Sequence, residues 1–307
     1  MEGGHIWRLE RSIAMPVLPE VETVRRGLEP YLTDARIDKV TLKRKDLRTP
    51  FPEGFAEALE GATIERAGRR AKYLLFRLST GKTWLSHLGM TGVYRFEDFR
   101  FKEPSRYYEP TEDRKHDHLI LELTHPTHGE MKLIYNDARR FGFMDLFGEE
   151  SESPYLDGLG PEPLSNAFNA AAMAERFKGK KAPMKAALLD QRVVAGLGNI
   201  YVSEALWRAH IRPELPAGKL VLKSGAPSKR LEDLADGVRK VLNEAIEAGG
   251  STLKDFRNAA GDTGYFQHRF AVYDREGEPC PTPGCKGVIQ RIVQSGRSTF
   301  FCPVCQH

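Results

Sequence analysis

All four cysteines of this 307-residue chain lie beyond residue 279, spaced as Cys280-x4-Cys285, sixteen further residues, then Cys302-x2-Cys305. Two close thiol pairs separated by a hairpin-length insert offer four ligands for a tetrahedral, closed zinc site of the structural kind. The end of the chain is therefore expected to fold as a small β-hairpin finger around one metal. Cysteines bunched in this way argue against a dispersed disulfide framework. The first knuckle, Pro281-Thr282-Pro283-Gly284, is longer than the commoner Cys-x2-Cys form and stays within ordinary zinc spacing. The alternative is four free thiols.

The length suits two domains with sizeable cores, and 40% hydrophobic with 29% charged residues describes a soluble, globular chain. No run of eighteen apolar residues exists, so no transmembrane helix is expected. The first fourteen residues mix Glu2, Arg8, Glu10 and Arg11 with scattered apolar positions and lack the continuous apolar stretch of a secretory signal, which points to the cytoplasm. Net charge is only +4, so an anionic partner must be met by local basic clusters rather than a general positive field.

Hydrophobic spacing divides what remains. Val21, Val24, Leu28 and Leu32 recur at three- and four-residue steps, one stripe of a helix over 20–32 whose first turn tolerates Pro19. Strand-like stretches follow at 39–43, 73–78, 83–87, 119–123, 132–135 and 143–147, and this half reads as a β-sandwich flanked by helix. From Gly148 to Ser165 the composition turns to Gly, Pro, Ser and acidic residues, as in a linker. Beyond it, 182–191, 199–210 and 228–248 have helical patterns, the last with Leu231, Leu234, Val238, Val241, Leu242 and Ile246 on one stripe. The fold class is α+β.

The run Met15-Pro16-Val17-Leu18-Pro19-Glu20-Val21-Glu22-Thr23, continued by Val24-Arg25-Arg26-Gly27-Leu28, resembles the mature N-terminus of the formamidopyrimidine-DNA glycosylase family. The resemblance covers nearly everything from Pro16 to His307. It implies a catalytic β-sandwich domain over 16–148, a linker at 149–165, a helix–two-turn–helix DNA-binding domain over 166–264 and a zinc finger over 265–307, with 1–15 as a leader or an early start. It further implies a monomeric, nucleoid-associated enzyme of base excision repair acting on double-stranded DNA. Such an enzyme flips out oxidised purines (8-oxoguanine, formamidopyrimidines), removes them, and nicks the strand by β,δ-elimination. A proline nitrogen ending a chain is a secondary amine with a free lone pair, whereas inside a chain it is a tertiary amide without nucleophilic character. Translation from Met15 followed by Met removal would expose Pro16 as an α-amine titrating near neutrality, and this is the expected start.

Site residues follow from the same resemblance. Pro16 is the nucleophile, Lys72 an acid/base near the flipped sugar, and Arg297 assists the δ-elimination. Met90, in His87-Leu88-Gly89-Met90-Thr91-Gly92, and Arg139 with Phe141, in Asn136-Asp137-Ala138-Arg139-Arg140-Phe141-Gly142, fill the space a flipped base leaves. His116, Arg140, Lys180 and Asn199 hold the backbone. Taken alone, several of these features have plainer readings: Arg297 as a solvated hairpin residue, Met90 and Phe141 as core, and Gly196-Leu197-Gly198-Asn199 as a tight turn opening a helix capped by Asn199. Arg66, Arg69, Arg70 and Lys72 are either a solvated basic face or a phosphate cluster, and the arginines could lower the lysine's pKa. His116 and His118 at i and i+2 suggest a metal only weakly, because no third ligand is near and a strand follows. The glycine-rich segment 249–267 resembles the loop that closes over the damaged base.

One position departs from the family pattern. The second mature residue there is a glutamate that protonates the sugar ring oxygen, and here it is Val17, which has no proton to give. General acid catalysis is worth about 10²–10⁴-fold, so base removal should suffer by that order while strand cleavage at a preformed abasic site suffers less. Glu20 is the nearest carboxylate that could compensate. The competing reading is a damaged-DNA-binding protein that keeps its grip without catalysis.

Overall fold

The computed structural model describes residues 16–97, 113–148, 152–251 and 265–307. Its elements are α1 (Leu18–Leu32), β1 (Arg36–Leu42), α2 (Phe55–Leu59), β2 (Ile64–Arg70), β3 (Tyr73–Leu78), β4 (Thr83–His87), β5 (Val93–Glu97), β6 (Asp117–His125), β7 (Gly129–Asn136) and β8 (Phe143–Phe147). They continue with α3 (Ala170–Phe177), α4 (Met184–Leu189), α5 (Asn199–Arg208), α6 (Lys229–Glu247), β9 (Gln290–Gln294) and β10 (Arg297–Phe301). The proposed leader lies outside the described residues, as does most of the glycine-rich segment, 252–264.

Two antiparallel four-stranded sheets, ordered β1-β6-β7-β5 and β2-β3-β4-β8, form the sandwich. Phe76 and Trp84 of one sheet meet Tyr94 of the other at ring-centroid distances of 6.5 and 6.3 Å. The Tyr94 hydroxyl donates to Ser86 Oγ at 2.7 Å, so the phenol of this aromatic group is paired. β2 and β5, which periodicity did not show, each form one edge of their sheet. Edges carry charge to discourage further pairing, and the arginines of β2 and the Arg95 and Glu97 of β5 hide the strand pattern. The connections β4–β5 and β7–β8 both cross from one sheet to the other. Because His87 pairs with Phe143 and Val93 with Asn136, loops 88–92 and 137–142 emerge side by side.

The helical half is built on α4, α5 and the 19-residue α6, whose apolar stripe is buried as its spacing predicts. α3, also absent from the sequence reading, is a short alanine-rich helix capped by Asn169, which accepts from the Ala172 N–H at 2.9 Å. The β9–β10 finger is not a tethered appendage. Cys280, Ile289, Phe300 and Cys302 belong to the same buried cluster as the helices.

α1 serves both cores. Val21, Val24, Leu28 and Leu32 pack into the sandwich, while Leu18, with Val17 just before it, packs among the helices. Arg69 and Arg70 reinforce this junction. Arg69 donates to Glu22 at 3.1 Å and to Glu162 at 2.8 Å, and Arg70 reaches Glu162 at 3.0 Å and the Gly160 carbonyl at 2.7 Å. These two arginines are therefore neither a solvated face nor a phosphate cluster; they tie β2 to α1 and to the segment around Gly160 and Glu162.

Candidate active site

Pro16 is buried at the start of the described chain, and the N–H of Leu18 donates to the Gly196 carbonyl at 3.0 Å. The α1 start is thus pressed onto the Gly196–Gly198 turn that opens α5. Val17 is 7% exposed, and a Cβ on Gly198 would lie 2.4 Å from a Val17 methyl, so this contact needs glycine. Gly198 is the N-cap of α5 and Asn199 its first helical residue, which corrects the capping role read from sequence.

Glu20 is placed by hydrogen bonds on both oxygens. One accepts from the Val17 N–H at 3.1 Å; the other accepts from the Tyr201 hydroxyl and from Ser251, whose N–H and Oγ each lie at 2.9 Å. Burial and the Glu20 charge push the Tyr201 phenol well above its ordinary range, so it stays a donor.

Lys72 follows Ala71, which turns the β2–β3 hairpin at φ +52° and donates its N–H to Glu162. Burial, then the Arg297 charge, lowers the Lys72 amine to about 8 against the opposing pull of Glu20. The adjacent arginines are not the cause, since Arg69 and Arg70 are neutralised by their carboxylates. Burial and then the Lys72 charge hold His87 neutral, near 4. Tyr73, next to Lys72, pairs with His87, which places Lys72 beside the root of the Met90 loop.

Arg297 is exposed at the start of β10, with Ser295 and Gly296 making the turn. Two side chains hold this strand. Lys185, 1% exposed, donates from Nζ to the Ser298 carbonyl at 2.8 Å, and Asn199 Nδ2 donates to the same carbonyl at 3.0 Å. Burial, then Arg297, lowers the Lys185 amine to about 7. Sequence reasoning missed Lys185; its signal was a lone lysine in the otherwise apolar run Met184–Leu189.

Loops 88–92 and 137–142 present Met90, half-buried, beside Arg139 and Phe141. Phe141 is 42% exposed, which excludes a core role, and the Arg139 guanidinium stacks 4.7 Å from its ring centre. Arg140, at φ +55°, turns away toward Asp46 at 3.6 Å. His116 lies 3.8 Å from Asp113, while His118 is buried and donates to the Asp137 carbonyl at 2.8 Å, so the two histidines do not act as a metal pair. Lys180 follows α3 and lies 3.9 Å from Asp190.

Comparison with known proteins shows the family of the chain. Residues 15–144 match the formamidopyrimidine-DNA glycosylase N-terminal domain, 159–257 its H2TH domain, and 277–307 a zinc finger found in FPG and IleRS. A formamidopyrimidine-DNA glycosylase of Rhodopseudomonas palustris (strain BisA53) is 54% identical over 296 residues, covering 95% of this chain and 100% of that protein. The chain belongs to the formamidopyrimidine-DNA glycosylase family. Another member, from Rhizobium leguminosarum bv. trifolii (strain WSM2304), is 52% identical over 301 residues, with coverage of 95% and 100%. Among solved structures, the MutM (Fpg) protein of Thermus thermophilus superposes with a TM-score of 0.76 at 41% identity, covering 95% of this chain and 98% of that one. The Lactococcus lactis Fpg in complex with abasic-site DNA gives 0.77 at 36%, with coverage of 95% and 100%.

Membership makes this a base excision repair glycosylase of damaged purines with abasic-site lyase activity. Its zinc finger is complete. The four Sγ atoms lie within 4.8 Å of one another, with Cys280 to Cys305 at 3.7 Å and Cys285 to Cys302 at 3.6 Å. A tetrahedron with zinc–sulfur bonds of about 2.3 Å has sulfurs about 3.8 Å apart, so the four cysteines fit one structural zinc. Among the described residues, no other His, Cys, Asp and Glu group gathers in this way, and no helix is long and apolar enough to cross a membrane.

Proposed function

We propose that this glycosylase excises oxidised purines from double-stranded DNA through the amine of Pro16, freed as a chain terminus, and then cleaves the strand. The amine attacks C1′ of the flipped nucleotide and gives up its proton, and the N-glycosidic bond breaks with its electrons leaving on the base, which is protonated. The C1′–O4′ bond then opens with its electrons and a proton going to O4′, leaving an iminium between protein and sugar. β-Elimination then breaks C3′–O3′ and δ-elimination breaks C5′–O5′. Lys72 supports proton transfer, since an amine lowered to about 8 changes state near the working pH. Arg297 meets the phosphate released in the second elimination. Met90, Arg139 and Phe141 fill the vacated stack; His116, Arg140, Lys180 and Asn199 steady the backbone. We take 16–148, 166–264 and 265–307 as the working domains, joined by 149–165.

The observation that carries this reading is that Leu18 at the α1 start and Ala71, next to Lys72, both press on Gly196, while the Glu20 and Arg297 charges act on Lys72, so that both halves and the finger meet there. Glu20 holds the α1 start in place rather than replacing the missing acid, because both its oxygens are taken by donors. Val17 favours a second reading, in which lesions are bound and abasic sites cleaved but base removal is slow. Borohydride reduction of a chain beginning at Pro16 decides between them and pure binding. A covalent adduct on abasic DNA with little on 8-oxoguanine DNA supports the slowed glycosylase, and binding without any adduct on either rules out the amine mechanism.

A further inference from the structure

The loop carrying Met90 and the loop carrying Arg139 and Phe141 meet through one buried carboxylate. Asp137 is 0% exposed. One of its oxygens accepts from the Thr91 hydroxyl, and the other accepts from the Gly142 N–H at 2.8 Å and the Tyr135 hydroxyl at 3.4 Å. Thr91 Oγ1 in turn accepts from the Arg139 N–H at 3.1 Å. The Asp137 backbone is tied to β6 and the turn before it: its carbonyl accepts from His118, and its N–H donates to the His116 carbonyl at 3.0 Å.

Nothing separates the two loops. A Cβ on Gly89 would lie 2.3 Å from the Gly142 nitrogen and the Phe141 carbonyl carbon, and Cβ atoms on Gly92 and Gly142 would lie 2.3 and 1.9 Å from the Tyr135 hydroxyl. Backbone in direct contact, bridged by Thr91 and Asp137, cannot shift on one side alone.

We infer that Asp137, through Thr91, is a positioning residue that makes the two loops one rigid wedge, so that Met90, Arg139 and Phe141 enter the duplex together and Arg139 meets the partner base in a set position. The inference rests on the reading of those three side chains as the group that fills the vacated stack. Two unlinked loops would each lose conformational freedom on insertion, and the link removes that cost beforehand.

The test compares single-turnover removal of 8-oxoguanine from a duplex with cleavage of an abasic site in single-stranded DNA, where no stack has to be filled. Thr91→Val deletes the bridging hydroxyl at a partly exposed site and leaves the fold little burdened; Asp137→Ala deletes the carboxylate. Each is expected to lose about tenfold more on the duplex than on the single strand, and to flatten the preference between cytosine and adenine opposite the lesion. Thr91→Ser should restore both. Equal losses on the two substrates, or no loss for Thr91→Val while Arg139→Ala shows the duplex-specific loss, overturn the proposal. If Arg139→Ala itself shows no duplex-specific loss, the stack-filling reading fails, and the proposal fails with it.

Discussion

Val17 sits where an acid would face two surroundings at once: the apolar cluster of the helical half and the first turn of α5, which has no side-chain cap. The first N–H groups of a helix lack intrahelical partners and favour negative charge, so a carboxylate at this position has donors to meet. Val17→Glu is therefore expected to fold and to raise the rate of 8-oxoguanine release by about 10²-fold or more, while cleavage of preformed abasic sites changes far less. Single-turnover assays on both substrates check this. A variant that folds without any gain in base release would show that the missing acid is not the limiting defect. The departure at residue 17 was legible in the sequence; its burial against Gly198 was not, because the contact joins residues far apart along the chain.

Among the elements, the β9–β10 hairpin shows how far a local motif reaches. The four cysteines that flank it were readable from spacing alone. What they serve is the strand bearing Arg297, held from the other side by Lys185 and Asn199 through Ser298. Removing the zinc is expected to loosen this strand before the sandwich melts, since the sandwich core is a separate cluster. Chelation or Cys285→Ser should lower DNA binding and δ-elimination while a later thermal transition, followed by tryptophan fluorescence of the buried Trp84, stays in place. Loss of both transitions together would mean that the finger and sandwich unfold as one unit. Strands β3, β4 and β8 carry the expected boundaries because each is rich in aliphatic and aromatic residues. β2 and β5 escaped notice as charged edges, and Lys185 because a buried lysine is recognised only when its acceptors, more than a hundred residues away, are known.

For the whole molecule, the junction of the two halves is an ionic network. Glu22, Arg69, Glu162 and Arg70 run from α1 through β2 to the segment preceding α3, and Arg25 and Arg26 add to Glu22. Burial alone would raise the Glu22 carboxyl, but hydrogen bonds from Arg25 and Arg26 and the charges of Arg25 and Arg69 hold it at about 2, against an ordinary 4.5. A carboxyl lowered on folding contributes stability that is present above 4.5 and lost as pH falls through that value toward 2. Glu22→Gln should therefore cost about 1–3 kcal/mol at pH 7, and the gap to the parent should close between pH 4.5 and 2. Denaturant unfolding at several pH values measures it; a gap that stays constant with pH would place the cost in packing instead.

The sequence by itself determined the metal site, the α+β class, most strands and helices, the family, and the absence of a glutamate at residue 17. These depend on residue type and on spacing within a few turns or one hairpin, which the chain order preserves. Tertiary structure alone decided that Arg69 and Arg70 bind carboxylates rather than phosphate, that Lys72 is buried with the Arg297 and Glu20 charges acting on it, and that Asp137 joins two loops nearly fifty residues apart. Each of these depends on which charges and donors meet across the fold, and electrostatic and hydrogen-bond energies are set by distance and burial rather than by order along the chain.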